Sequence, residues 1–83
     1  MRLWLVAREY DTRQTVTLTY AAVDGRRVYT RQASVELLRR NPVTAAIDRE
    51  RSNTERVGEA DRRERYAAEA ERMAADHDPA DEV

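Results

Sequence analysis

An 83-residue chain with no cysteine, fifteen arginines in place of every lysine, sixteen acidic residues and one histidine carries a formal charge of −1. These figures exclude disulfides and thiolate zinc sites, and a domain this small removes only about 60 to 65% of its unfolded surface from water, which leaves oligomerisation as the open route to extra stability. No apolar run reaches the roughly eighteen residues a membrane span needs, and Arg8 and Glu9 interrupt the opening Met1–Ala7 too early for a secretory signal, so a cytoplasmic location is expected. Charge is unevenly divided. Residues 1–40 hold eight arginines and four acids, a balance of +4, and residues 41–83 hold seven arginines and twelve acids, a balance of −5.

Leu3–Tyr10 and Thr15–Val23 are rich in β-branched and aromatic residues and are separated by Asp11-Thr12-Arg13-Gln14, which predicts two strands. Asp24-Gly25 then precedes a third strand over Arg26–Gln32, because Asp-Gly between strands is a strong hairpin signal. Two-residue turns at Thr12-Arg13 and Asp24-Gly25 set a register that aligns Leu5, Tyr20 and Tyr29 across a three-stranded antiparallel meander. One face then carries Leu3, Leu5, Ala7, Val16, Leu18, Tyr20, Ala22 and Tyr29. The other carries Trp4, Val6, Arg8, Tyr10, Ala21 and Val28 among threonines.

Ser34 suits the N-cap of a short helix through Val35, Leu37 and Leu38, with Glu36 and the Arg39-Arg40 pair complementing the helix dipole. Asn41-Pro42 reads as a cap and restart, predicting a second short helix from Pro42 to about Arg51 with Val43, Ala46 and Ile47 facing inward. A polar connector over 52–58 leads to a long helix from Glu59 to about Asp76. Its stripe of Ala60, Arg63, Ala67, Ala70, Ala74 and His77, widened by Tyr66 and Met73, has amphipathic spacing. Opposite charges four apart, such as Glu59 with Arg63 and Arg72 with Asp76, predict ion pairs of about 0.2 to 0.5 kcal/mol each. The fold class is therefore α+β: a three-stranded antiparallel β-meander, two short helices and one long amphipathic C-terminal helix, forming one domain over 1–77 with a mobile acidic tail at 78–83.

Leu3-Trp4-Leu5-Val6 with Arg8 and Tyr10, Thr19-Tyr20-Ala21 with Asp24-Gly25 and Arg27, and Arg63–Ala70 running into Arg72-Met73-Ala74 and His77-Asp78-Pro79 resemble a family of short uncharacterised proteins of halophilic archaea. The resemblance covers most of the chain. It implies a salt-rich cytoplasm and carries no activity, so no functional residue is transferred from it.

Chemistry is sparsely provisioned. His77 lies near the chain end, the acids of the long helix alternate with arginines, and the two glycines form no phosphate loop, so no catalytic residue, metal ligand or cofactor site is assigned and an enzyme is not expected. Two binding readings remain. If the helices cover only the leucine face, Trp4, Val6, Tyr10, Ala21 and Val28 form an apolar patch for a protein partner or a homodimer. If the long helix covers one face and the short helices the other, no patch is left. The alternative is RNA binding through Arg8, Arg26, Arg27 and Arg31, with phosphates held by guanidinium groups.

Overall fold

The computed structural model describes residues 1–83. Three strands, β1 (Arg2–Tyr10), β2 (Thr15–Ala21) and β3 (Arg27–Ser34), form the expected antiparallel meander and are followed by a helix, α1 (Val35–Arg40). Two short strands absent from the sequence reading, β4 (Ala46–Asp48) and β5 (Glu55–Arg56), extend the sheet to five strands in the order β4-β1-β2-β3-β5. A long helix, α2 (Ala60–Asp76), closes the fold.

The register is as expected where Leu5 pairs with Tyr20 and Tyr20 with Tyr29. Beyond Leu5 it slips by one. A bulge sets Ala7 against Thr19, Arg8 against Leu18 and Tyr10 against Val16. The first turn explains the slip: it spans three residues rather than two, with Gln14 at φ 62 and the Asp11 carboxylate accepting from the amides of Arg13 and Thr15 at 2.8 and 2.9 Å. An extra turn residue shifts the pairing, and the bulge at Val6 absorbs the shift. Side chains past the bulge therefore change faces, which carries Arg8 and Tyr10 to the side of Leu18 and Val16.

Apolar residues cover both faces. Leu3, Leu5, Val16, Leu18, Tyr20 and Ala22 form one cluster, on which Val35 and Leu38 of α1, Val43 and Ile47 pack. Trp4, Ala45, Ala46 and Ala70 form the other, joined by Val6, Met73 and Ala74. The long helix thus lies on the tryptophan side and the connection after β3 crosses the leucine side. Ser34 caps α1 as expected, its hydroxyl accepting from the Leu37 amide at 3.0 Å.

Two expectations are corrected, and the last residues make contacts that the sequence does not foretell. No helix forms from Pro42 to Arg51; Ala46–Asp48 pairs with Arg2–Trp4, and a single 3₁₀ turn follows at Arg51–Asn53. The open edge of β1 captures this segment, satisfying amides that a short isolated helix would leave exposed. Residues 78–83 lie along the segment that leads into β4. Ala45 and Ala46 donate backbone hydrogen bonds to the carbonyls of Asp81 and Pro79 at 2.8 and 3.0 Å, and Val83 donates to Val43 at 2.9 Å. Of the ion pairs within α2, only Arg72–Glu69, three apart, is formed, at 3.2 Å. Arg63 instead donates to the carbonyls of Val57 and Gly58 at 3.2 and 3.0 Å.

Candidate functional site

At the end of the sheet the β2–β3 turn, β5, the 3₁₀ turn and the first turns of α2 surround a cleft of about 550 Å³. Its wall holds Arg26, Arg27, Arg51, Arg56 and Arg63 with a single acid, Asp24. Five guanidinium groups less one carboxylate give a side-chain balance of +4 inside one concavity, in a protein whose formal charge is −1.

Each arginine arrives for a local reason. Gly25, at φ 71, allows the β2–β3 turn, and the Asp24 carboxylate accepts from the Arg26 amide at 2.9 Å, so Arg26 and Arg27 leave the turn in a fixed direction. Backbone pairing sets Arg56 directly across from Arg27. The Arg26 carbonyl accepts from the Val57 amide at 2.9 Å, which ties the entry to α2 against the same turn. Arg27 donates to the carbonyl of buried Thr54 at 3.4 Å, and Arg63 is held by the Val57 and Gly58 carbonyls. Met1 also lines the cleft, and its ammonium donates to the Arg49 carbonyl at 2.9 Å.

None of the five arginines pairs with a carboxylate. The Arg–carboxylate pairs of the protein lie elsewhere, at Arg2–Asp48, Glu36 with Arg39 and Arg40, and Arg72–Glu69. In the first of these the Arg2 hydrogen bond, then its charge, holds the Asp48 carboxyl below its ordinary range. Guanidinium forks left without carboxylates suit the oxygens of a phosphate, which they engage through paired hydrogen bonds.

The residues expected to bind separate into three places. Arg26 and Arg27 enter the cleft. Arg8 and Arg31 both pair with Leu18 from either side and lie on the leucine face, where Arg8 donates to the Val83 carbonyl at 2.9 Å. The apolar patch does not assemble: Trp4 is 7% exposed and Ala21 fully buried, while Val6 and Val28 are half-buried. Tyr10, 66% exposed, has moved to the other face with the bulge and borders a groove formed with Val16, Val35, Leu38, Val43 and Val83. Arg51, Arg56 and Arg63 escaped the sequence reading because they belong to the acidic half of the chain, and no periodicity connects them with Arg26.

His77 Nδ1 stands 3.8 Å from Asp81, whose carboxylate accepts from the Asp78 amide at 2.8 Å. These polar groups join the end of α2 to the last residues. No helix is both long and apolar enough to cross a membrane.

Fold and site together define a small α+β protein with an arginine-lined cleft at one end of a five-stranded antiparallel sheet. The chain belongs to the DUF7967 family, a family of unknown function, whose model matches residues 1–83. No curated protein and no solved structure matches it.

Proposed function

We propose that the protein is a non-enzymatic binding module whose partner is single-stranded RNA, held by its phosphates in the arginine cleft. The observation that carries this reading is the gathering of Arg26, Arg27, Arg51, Arg56 and Arg63 around one space without a carboxylate partner among them. Like charges in one concavity repel, so the arrangement costs stability unless an anion occupies it. A flexible strand can lower its phosphates into a recess that a rigid duplex is too wide to enter. The halophilic, cytoplasmic setting implied by the family resemblance belongs to the same reading. High salt weakens long-range attraction and leaves paired guanidinium–phosphate hydrogen bonds as the durable part of recognition.

The test is fluorescence anisotropy of a labelled RNA across a salt series. Wild type binds with an affinity that falls as salt rises, and each of Arg27→Gln and Arg56→Gln lowers the slope of log K against log salt by about 0.7. RNA affinity that is absent at low salt removes the proposal.

A second reading, association with a protein partner or a second copy, is supported by the exposed Tyr10 ring beside the apolar groove on the other face. Sedimentation of wild type beside Tyr10→Glu tests it. A wild-type monomer at high concentration removes homodimerisation, and capture of a partner that survives Tyr10→Glu removes the groove as its seat.

A further inference from the structure

The cleft is a recess rather than a track. Its five arginines come from five successive places in the chain, the β2–β3 turn, the start of β3, the 3₁₀ turn, β5 and α2, and converge on about 550 Å³. A strand lying along a surface presents one charge per phosphate and would be matched by arginines spaced along its path. Here the positive groups surround one volume from several sides. Arg27 and Arg56 face each other across the β3–β5 pair, while carbonyl contacts to Val57 and Gly58 hold Arg63 on the α2 side. The +4 balance of the lining exceeds what one internal phosphate requires. A terminal phosphate carries about −1.5 to −2 at neutral pH, and each further phosphate of a terminal di- or triphosphate adds to that charge.

We infer that the cleft takes a terminal oligophosphate group, a di- or triphosphate, rather than an internal stretch of backbone. This rests on the phosphate-binding reading of the cleft and specifies which phosphates enter it. The group comes from one of two sources with the same chemistry, the 5′ end of an RNA or a free nucleoside triphosphate. In either case the phosphates occupy the recess while the nucleoside points outward through its mouth.

The experiment compares one short RNA bearing a 5′-triphosphate with the same RNA bearing a 5′-hydroxyl, and uses inorganic tripolyphosphate and a nucleoside triphosphate as competitors. The triphosphate form is expected to bind at least tenfold more tightly, and tripolyphosphate is expected to displace it. Arg51→Gln and Arg56→Gln, confirmed folded by circular dichroism, bring the ratio between the two forms toward one. Equal affinity of the two forms overturns the inference and leaves the RNA reading standing. Binding of tripolyphosphate and nucleotide with no affinity for either RNA upholds the inference and removes the RNA reading. No binding of any of the four overturns both, and a ratio unchanged by the two substitutions overturns the placement in this cleft.

Discussion

Arg27 of β3 stands directly opposite Arg56 of β5, so the two-residue strand that completes the sheet is joined to it across a pair of like charges. Like charges in directly opposed positions are destabilising, and an opposite-charge pair there contributes roughly 0.2 to 1 kcal/mol. Arg56→Glu is therefore expected to raise the urea midpoint in dilute buffer, by up to about 1 kcal/mol in stability, while lowering affinity for RNA. The gain should shrink as salt screens the pair. A midpoint that is unchanged or lower in dilute buffer contradicts the idea that this strand pair gives up stability for binding.

Gly25 brings the β2–β3 turn against the backbone of α2. A Cβ placed on it collides with the Arg63 carbonyl oxygen and lies 2.8 Å from the Ala67 amide nitrogen, and its φ is 71. Gly25→Ala combines an unfavourable backbone conformation with a clash against helix backbone that has no flexible side chain to yield. The expected loss is above about 2 kcal/mol, seen as a lower denaturation midpoint, with weaker anion binding because the turn that carries Arg26 and Arg27 moves. A midpoint within about 0.5 kcal/mol of wild type would show that the turn and helix are not in this contact.

Trp4 belongs to the interior. Packed with Ala45, Ala46 and Ala70, its indole is expected to emit at short wavelength and to resist quenching by acrylamide in the monomer. Trp4→Ala should cost about 3 to 5 kcal/mol, as other large-to-small core substitutions do. Red-shifted, easily quenched emission from a folded monomer would put the side chain outside.

Tyr20 supplies a prediction at alkaline pH. Burial, opposed by the charges of Arg31, Arg49 and Arg8, raises the pKa of its phenol. A raised folded pKa means that the unfolded chain loses the proton first. The associated stability is therefore complete below the ordinary tyrosine value of about 10 and is lost as pH climbs through the folded one. Denaturation midpoints should fall above about pH 10, and Tyr20→Phe should flatten that fall. An equally steep fall in Tyr20→Phe would place its origin in other groups.

The features legible in the sequence were local ones. α2 follows from the spacing of Ala67, Ala70 and Ala74, the start of α1 from Ser34, and the pairing of Tyr20 with both Leu5 and Tyr29 from the alternation of β2. What escaped depends on partners distant in sequence. Val43–Asp48 contains residues that suit either helix or strand, and the free edge of β1 decides between them. The third residue of the first turn shifts Tyr10 to the opposite face, and α2 covers Trp4, so the apolar patch does not form. Arg26 and Arg27 stand out as basic in the sequence, but their companions Arg51, Arg56 and Arg63 meet them only because β5 returns to β3 and α2 packs on Gly25.

The cleft is tested most directly by following the arginine side-chain Nε–Hε resonances of the protein by NMR while RNA is added at low salt. The resonances of Arg26, Arg27, Arg51, Arg56 and Arg63 should shift together along one saturation curve, with Arg39, Arg40 and Arg72 at their starting positions. Shifts confined to Arg8, Arg31 and Arg49, or spread evenly over all fifteen arginines, would contradict a binding site at the end of the sheet.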